Sequence, residues 1–248
     1  MISVIIITKN EALYIERCIR SVAWAREIIV LDSGSTDATV DICKSLGAKV
    51  FQTTDWPGFG PQKQRALDKA SEDWVLSLDA DEYITEDLKL AIINSITNSE
   101  ANGFELPRLS SYCGKNMHHG GWWPDYVLRL FRRQYGYFSS DLVHERIIVE
   151  GQIQKLATPL LHETYVNLEE VINKINQYSS LGADKIFAQR KTSSIYHALL
   201  RGLWTFFRCY FLQKAFLDGP EGLMLAISNA EATYYKYAKL YLLNNKLK

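Results

Sequence analysis

Short apolar runs alternate with segments of helical periodicity over the first eighty residues of the chain. The apolar runs, rich in Ile, Val and Leu, are typical of buried strands and cover residues 3–7, 27–31, 49–51 and 74–78. Between them, apolar positions recur every three or four residues at 12–24, 39–46 and 62–70. This β-α-β-α-β-α-β order predicts an α/β fold with a mostly parallel sheet flanked by helices. In such sheets ligands bind where the strands end.

The pattern changes after residue 86. A helix is predicted to residue 96, followed by strands at 103–106, 127–132 and 146–149, with an irregular segment at 107–126. From residue 167 onward the periodicity is helical. We therefore expect an α/β domain over residues 1–165 and a helical C-terminal region over 166–248.

Three carboxylates follow the fourth predicted strand closely. Asp79, Asp81 and Glu82 come directly after the apolar run 74–78. Carboxylates this close repel one another and resist desolvation unless a divalent cation neutralises them. The strand end therefore indicates a metal site that faces a phosphate-bearing ligand. A solvated turn before a helix N-terminus, where acidic residues are also common, is the alternative.

Polar side chains also follow the first two predicted strands. Thr8, Asn10 and Glu11 follow the first strand, and Asp32 and Ser33 follow the second. A carboxylate at such a strand end can accept a hydrogen bond from the imide N–H of a base. A tight turn that caps the next helix is the alternative, and Asn10 is expected to cap the first one. The two roles are compatible.

Two cations lie on the third predicted helix. Lys63 and Arg65 precede the strand that leads to Asp79. Cations near an acidic metal site are suitable partners for a diphosphate. A solvated helix face is the alternative for both side chains.

Composition narrows the class of protein. The formal net charge is zero over 248 residues, so nothing global indicates nucleic acid as a partner. The four cysteines lie far apart without the spacing of a metal site, which is typical of reduced thiols in a cytosolic protein. The N-terminus lacks a basic leader, and no run of about 18 uncharged apolar residues predicts a membrane-spanning helix.

Three motifs, in this order, resemble the N-terminal half of family 2 glycosyltransferases. They are Thr-Lys-Asn-Glu at 8–11, Ile-Ile-Val-Leu-Asp-Ser-Gly-Ser-Thr-Asp at 28–37 and Trp-Val-Leu-Ser-Leu-Asp-Ala-Asp-Glu at 74–82. The resemblance implies a GT-A fold and inverting transfer from a nucleotide sugar. It makes 1–165 the glycosyltransferase domain, with a nucleotide-sugar half at 1–100 and an acceptor half at 101–165.

The resemblance implies a set of donor-binding residues: Thr8, Asn10, Glu11, Asp32, Ser33, Lys63, Arg65, Asp79 and Ala80. Among them, Asp32 would contact a uracil-type base and Arg65 the phosphate side of the nucleotide. Asp79 and Asp81 form the Asp-x-Asp signature, which would hold Mg²⁺ or Mn²⁺ together with the diphosphate. His162 is a candidate for a further metal ligand, with a hydrogen-bonded structural histidine as the alternative.

Motifs in the second half resemble the lipopolysaccharide inner-core β-1,4-glucosyltransferase group of that family. They are Trp-Trp-Pro-Asp at 122–125, Arg-Leu-Phe-Arg-Arg at 129–133, Leu-Val-His-Glu at 142–145 and Phe-Leu-Asp-Gly-Pro-Glu-Gly at 216–222. Trp122, Trp123, Asp125 and His144 would then bind the acceptor. The two tryptophans can equally anchor a loop in the core.

The general base of an inverting transfer is expected after the Phe-Arg-Arg strand. Many family members carry Glu-Asp there, whereas this chain has His-Glu at 144–145. We therefore predict that Glu145 removes the proton of the acceptor hydroxyl. Asp141 and Asp125 are alternatives for that role, and a salt bridge to an arginine is the structural alternative for Glu145.

The reaction implied by the resemblance is transfer of a hexose, glucose from UDP-glucose, to a heptose of lipopolysaccharide core on a lipid-linked acceptor. Another polysaccharide or a peptide as acceptor is the first alternative. A catalytically silent GT-A protein that binds or scaffolds is the second, since fold alone does not fix function. We expect the protein to be cytoplasmic. The sequence leaves open whether it forms a homo-oligomer.

The C-terminal region is basic and aromatic. Residues 190–248 contain nine Lys or Arg against three Asp or Glu, a net charge of +6. Apolar residues recur there at helical spacing beside Arg201 and Arg208, among them Leu199, Leu203, Phe207 and Tyr210, and also Leu200, Trp204 and Phe211. This pattern predicts peripheral contact with the inner face of the cytoplasmic membrane. Packing on the α/β domain or in a dimer is the alternative.

Overall fold

The computed structural model describes residues 1–139 and 146–245, and the chain divides into two compact units. The first unit comprises Met1–Arg108 and Asp125–His162. The second comprises Leu109–Pro124 and Glu163–Lys248. The functional division expected at residues 165 and 166 stays a prediction.

Strands and helices are numbered along the chain. The strands are β1 (Ile2–Thr8), β2 (Glu27–Asp32), β3 (Lys49–Gln52), β4 (Trp74–Asp79), β5 (Glu82–Tyr83), β6 (Gly103–Tyr112), β7 (Lys115–Asn116), β8 (Asp125–Arg132), β9 (Gly136–Phe138), β10 (Ile147–Val149), β11 (Ile153–Lys155) and β12 (Leu160–Tyr165). The α-helices are α1 (Ile15–Ser21), α2 (Thr39–Ser45), α3 (Phe59–Leu67), α4 (Glu86–Asn98), α5 (Leu168–Ala188), α6 (Ile195–Phe207) and α7 (Gly219–Asn245). A π-helical turn covers Arg208–Leu212, and 3₁₀ turns cover Arg133–Tyr135 and Ala215–Asp218.

The main sheet has the strand order β3-β2-β1-β4-β8-β6-β12-β5. β1 pairs in parallel with β2 and β4, and β2 pairs in parallel with β3. β8 is antiparallel to both β4 and β6. The predicted fold class is confirmed: an α/β protein with a mostly parallel sheet flanked by helices and a helical C-terminal extension.

The central strands are apolar throughout because both faces of the sheet are covered. Nearly every residue of β1, β2 and β4 is buried. Ile15 and Ile19 of α1 belong to the cluster on one face, and Ala66 and Leu67 of α3 belong to the cluster on the other. Continuous apolar runs, rather than alternation, are what parallel strands covered on both faces require.

Two stretches of the chain differ from the prediction. The prediction that Asn10 caps the first helix is wrong, because α1 begins only at Ile15 and Tyr14 holds the N-cap position. Asn10 instead takes a left-handed conformation with φ 58°. The segment 107–126 is not irregular throughout, because β6 continues to Tyr112, pairing antiparallel with β8 as far as Arg108 and with β7 at Ser111 and Tyr112.

The second unit is mainly helical, as expected for the C-terminal region. Asn167 caps α5 by accepting a hydrogen bond from the backbone N–H of Glu170 at 2.9 Å. Ser194 caps α6 through the backbone N–H of His197 at 3.1 Å. Among the described residues, no helix is both long enough and apolar enough to cross a membrane.

Candidate active site

The strand register brings the predicted site residues to one edge of the first unit. Thr8, the last residue of β1, lies opposite Asp32, the last residue of β2. Asp79, the last residue of β4, lies opposite Ile7 of β1. The three polar strand ends therefore lie side by side at the carboxyl edge of the parallel strands, where α/β folds bind ligands.

Asp32 orders the loop that follows it. Its side chain is fully buried and accepts hydrogen bonds from the backbone N–H groups of Gly34 and Ser35, each at 3.1 Å. Gly34 has φ 83°, a conformation that glycine adopts without strain. The carboxylate thus stabilises a tight turn, as the alternative in the sequence indicated, and its contact to a base stays a prediction.

The loops after β1 and β2 are joined by hydrogen bonds. Asn10 donates its backbone N–H to Ser35 Oγ and accepts from the backbone N–H of Thr36 through Oδ1, both at 2.8 Å. The backbone N–H of Glu11 donates to Thr39 Oγ1 at 2.8 Å. These bonds take the place of helix capping and hold the predicted nucleotide-binding loops in one arrangement.

Gln62 on α3 is a buried site residue that the sequence did not reveal. Its Nε2 donates to Ser33 Oγ at 3.0 Å and to Thr53 Oγ1 at 2.7 Å. Nearby, the hydroxyl of Thr8 is buried and has no hydrogen-bond partner among the described residues. A glutamine on an amphipathic helix carries no signal of burial, so only the tertiary structure identifies it.

Asp79 is held between two buried cations. Lys63 Nζ lies 2.8 Å from Asp79 Oδ1, and Arg129 Nη2 contacts Asp79 Oδ2. Burial alone would raise the pKa of Asp79, but the charges of Arg129 and Lys63 outweigh it and hold that pKa well below its usual range. The structure therefore joins Lys63 to Asp79, as the sequence indicated, and adds Arg129, which the sequence showed only as part of a motif.

Arg129 extends this ion cluster to Glu82. The Arg129 side chain is 8% exposed, and its Nη2 lies 2.6 Å from Oε1 of Glu82, whose side chain is fully buried. Burial opposes the charged form of Arg129, but Asp79 and Glu82 together raise its pKa above the usual range. Glu82 also accepts the backbone N–H of Asp79 at 3.0 Å, so it fixes the turn that carries the Asp-x-Asp signature.

Asp81 meets His162 on the neighbouring element. His162 Nε2 lies 3.3 Å from Asp81 Oδ2, because β12 pairs with β5 at the register His162 to Glu82. Ala80 between the two aspartates is buried. The carboxylate and the imidazole are 29% and 14% exposed, so both remain within reach of a ligand.

The pair Asp81 and His162 fits a divalent cation, although it does not enclose one. Within residues 1–139 and 146–245, no group of three or more His, Cys, Asp or Glu side chains is placed to hold a metal ion. Mg²⁺ and Mn²⁺ commonly use one or two protein ligands together with substrate phosphates and water. Both oxygens of Asp79 are engaged by cations, so Asp81 and His162 are the better placed of the predicted ligands, and the metal role of all three residues stays a prediction.

Arg65 lies in a different ion pair. Its Nη1 and Nη2 donate to the two carboxylate oxygens of Asp55, each at 2.8 Å. The hydrogen bonds from Arg65 lower the pKa of Asp55 from its usual value. The structure thus does not bring Arg65 to Asp79, and its phosphate contact stays a prediction.

A cavity of about 490 Å³ lies beside Asp79 in the first unit. Four cations, Lys63, Arg108, Arg129 and Arg146, line it together with Asp79 and Glu105. Tyr126, Phe138 and Ile147 add aromatic and apolar surface. Its volume and mixed lining are suitable for a small polar ligand.

Comparison with known proteins decides the class. Residues 3–144 match the family described as "Glycosyl transferase family 2". The chain is a family 2 glycosyltransferase. This confirms the family resemblance drawn from the motifs at 8–11, 28–37 and 74–82.

Relatives of this glycosyltransferase match it over nearly its whole length. The lipopolysaccharide core biosynthesis glycosyltransferase LpsC of Rhizobium meliloti is 33% identical over 252 residues, which cover 97% of this chain and 92% of LpsC. An uncharacterized glycosyltransferase of Rickettsia typhi is 31% identical, covering 96% of this chain and 86% of its own. The crystal structure of S. aureus TarS 1-349 in complex with UDP-GlcNAc has a TM-score of 0.52 at 15% identity and covers 100% of this chain and 92% of that one. The likeness to TarS shows the GT-A fold.

The predicted acceptor residues of the glycosyltransferase lie in both units. Trp122 belongs to the second unit, where its ring lies 6.0 Å from that of Tyr112 and 6.2 Å from that of Tyr165, so it anchors that unit's core. Trp123 lies in the same unit, with its ring 6.0 Å from that of His118.

Only one of the three candidates for the general base lies among the described residues. Asp125, in the first unit, forms an ion pair with Arg108 Nη2 at 2.6 Å. The other two candidates, Glu145 and Asp141, lie outside the described residues, as does the predicted acceptor residue His144. The assignment of the base therefore stays a prediction.

Proposed function

We propose that this glycosyltransferase transfers glucose from UDP-glucose to a heptose of the lipopolysaccharide inner core, with inversion at the anomeric carbon. Membership of family 2 supports nucleotide-sugar transfer. The relationship to LpsC over almost the full length of both chains supports a lipopolysaccharide acceptor. The single observation that carries the proposal is the convergence of Asp81 and His162, 3.3 Å apart, beside the buried ion cluster of Asp79.

The donor lies, in this proposal, along the carboxyl edge of β1, β2 and β4. Asp32 accepts from the base, and the linked loops at Thr8–Glu11 and Ser33 border the nucleoside. Lys63 and Arg129 place positive charge next to the diphosphate, where it stabilises a leaving group that gains charge. Asp81 and His162 would hold Mg²⁺ or Mn²⁺, which when bound supplies further positive charge against the same group.

The acceptor hydroxyl attacks the anomeric carbon as the bond from that carbon to the diphosphate oxygen breaks. Glu145 takes the hydroxyl proton, with Asp141 and Asp125 as alternatives. Asp125 would have to exchange its ion pair with Arg108 for contact with the hydroxyl, which makes it the less suitable of the three. The cavity beside Asp79 provides the space for the sugar rings.

A lipid-linked acceptor is presented at a membrane surface. We therefore include peripheral association with the inner face of the cytoplasmic membrane in the proposed function. An acceptor anchored in the bilayer brings the enzyme to that surface.

Release of UDP from UDP-glucose, with Mn²⁺ and purified lipopolysaccharide core as acceptor, tests the proposal. Asp81→Ala removes a metal ligand, and we expect UDP release to fall by roughly a hundredfold or more, the scale seen for loss of a strong electrostatic contact in a transition state. Asp87→Ala is the matched control, since Asp87 is an exposed carboxylate in the first turn of α4. The proposal of donor chemistry is wrong if both variants release UDP at the wild-type rate.

The acceptor is tested separately by mass spectrometry of lipopolysaccharide core from cells with and without the protein. Loss of one hexose from the core supports the heptose acceptor. An unchanged core, together with active UDP release, would assign the enzyme to another polysaccharide or to a peptide.

A further inference from the structure

Helix α6 exposes large apolar side chains along one face. Leu199, Leu200, Leu203, Trp204, Phe207 and Phe211 are each between 45% and 65% exposed. We call this set the α6 apolar face; its last member lies in the π-helical turn that follows α6. These residues recur at intervals of three or four, so they share one side of the helix. An exposed apolar surface of this extent marks an interaction site.

The opposite side of α6 makes the contacts within the second unit. Ala198 and Gly202 are buried, and a Cβ on Gly202 would lie only 3.2 Å from Tyr234 Cβ of α7. Thr205 Oγ1 lies 3.3 Å from Thr233 Oγ1 of the same helix. Small residues therefore form the packed side and large apolar residues the solvent side, the reverse of an ordinary surface helix.

The aromatic members of the face are ordered among themselves. The rings of Trp204 and Phe207 stack at 5.9 Å, and those of Phe207 and Phe211 lie at 5.3 Å. Trp and Phe on one side of an amphipathic helix are typical of segments that lie in a membrane interface.

Five exposed cations and no carboxylate accompany the α6 apolar face. Between residues 190 and 217 the chain has no Asp or Glu, and its charged residues are Arg190, Lys191, Arg201, Arg208 and Lys214. Arg201 donates to His197 Nε2 at 3.1 Å and lies over the ring of Tyr237, so neither of these contacts neutralises its charge. This charge pattern is complementary to an anionic surface. The same charge pattern disfavours a two-fold symmetric contact with a second copy of the chain, because that contact would place like charges against one another.

We propose that the α6 apolar face docks on a bilayer of anionic phospholipid, with α6 parallel to the membrane plane. Its aromatic side chains enter the boundary between headgroups and acyl chains, and Arg201 and Arg208 contact the lipid phosphates. The proposal adds a defined lipid-binding surface to the proposed function. It does not depend on the donor or the acceptor assigned in the proposed function.

Co-sedimentation of the full chain with vesicles tests this. We expect binding to vesicles of phosphatidylglycerol in phosphatidylcholine to exceed binding to phosphatidylcholine alone by at least about tenfold, and to weaken as salt is raised. Combined Trp204→Ser, Phe207→Ser and Phe211→Ser should lower binding to the anionic vesicles by about tenfold or more, because the buried apolar area is lost. Combined Arg201→Gln and Arg208→Gln should lower it by a similar factor and reduce its salt dependence.

Matched controls use the same changes elsewhere. The first control replaces three side chains of α5 that are 53–62% exposed, with Ile172→Ser, Tyr178→Ser and Leu181→Ser. The second control removes two other exposed cations, with Arg20→Gln and Arg26→Gln. Both controls should bind the vesicles as the wild type does. UDP release should be unchanged in the α6 variants, which separates this proposal from the catalytic one.

Three results would overturn the proposal. Equal binding to anionic and neutral vesicles removes the role of the cations. If the α5 control variant loses as much vesicle binding as the triple serine variant, binding is not specific to the α6 apolar face. A dimer in sedimentation velocity that the triple serine variant dissociates would show that a second copy, rather than lipid, covers it.

Discussion

Among single residues, Glu27 on β2 joins three parts of the first unit. Its carboxylate accepts from Ser3 Oγ of β1 at 2.6 Å, from Lys49 Nζ of β3 at 2.6 Å and from the backbone N–H of Ser71 at 2.7 Å. Burial alone would raise the pKa of Glu27, but these hydrogen bonds lower it to about 2. The carboxylate is therefore stabilised in its charged form in the folded chain and not in the unfolded chain.

Glu27→Gln should lower the free energy of unfolding at pH 7 by about 3 kcal/mol, the equivalent of the pKa difference. Because the folded-state pKa is depressed, this stabilisation is present above the usual carboxyl pKa and is lost as the pH falls towards 2. Urea denaturation of the wild type and the variant at pH values from 7 to 3 should thus show that their free energies of unfolding converge as the pH falls.

Glu16→Gln is the control for Glu27→Gln. Glu16 pairs with Arg20 one helical turn away at an exposed site, so its loss should cost less than about 0.5 kcal/mol at any pH. A difference for Glu27→Gln that stays constant between pH 7 and pH 3 would contradict the account.

The site residues that the sequence revealed are those that follow strands. Asp32, Asp79 and Asp81 were predicted from their positions at strand ends together with the family resemblance, since position alone also allows a turn or a helix cap. Arg129 was not assigned a role, since its position in the middle of β8 matches any strand residue until β8 pairs with β4. His162 was predicted only through the family resemblance, and its contact with Asp81 depends on pairing between β12 and β5.

Among elements, the start of α7 packs tightly on the 3₁₀ turn before it. A Cβ added to Gly222 would lie 1.8 Å from the backbone oxygen of Ala215. Gly222→Ala therefore forces the turn and the helix apart, and we expect it to lower the free energy of unfolding by about 3 kcal/mol or more. Thermal denaturation followed by circular dichroism measures the change.

Gly182→Ala on α5 is the matched control for that change. Its added Cβ would meet only the flexible Lys236 side chain, at 2.8 Å from Cδ and 3.3 Å from Cγ, and no backbone atom. Since Ala favours helix over Gly by up to about 1 kcal/mol, this variant should be neutral or slightly more stable. Equal melting temperatures for Gly222→Ala and the wild type would contradict the packing described here.

Parallel strands were predicted well and the antiparallel strands less well. Runs such as Ile2–Thr8 are apolar on both faces, which few other elements require. β6 was predicted to end before Pro107, a residue that cannot donate to a ladder, yet the strand continues through it opposite Tyr126. α1 is shorter than its periodicity indicated because the backbone of residues 10–12 bonds to the loop after β2.

At the scale of the whole molecule, the composition of the second unit could not be predicted. It joins Leu109–Pro124 to the C-terminal helices, as in the hydrogen bond of 2.8 Å between Tyr112 Oη and Ser228 Oγ. Asp218 likewise accepts the backbone N–H groups of His118 and His119, at 3.0 and 2.8 Å. Contacts between residues that are about a hundred positions apart leave no periodic pattern in a sequence. The sequence therefore places residues 109–124 in the acceptor half and does not connect them to the C-terminal helices.

Calorimetric titration of UDP into the full chain, with and without Mn²⁺, tests the central claim most directly. The account predicts that Mn²⁺ strengthens UDP binding and that Asp81→Asn abolishes this gain, weakening binding in Mn²⁺ by at least about tenfold. Identical UDP affinities with and without Mn²⁺, or no binding of UDP in either condition, would contradict it.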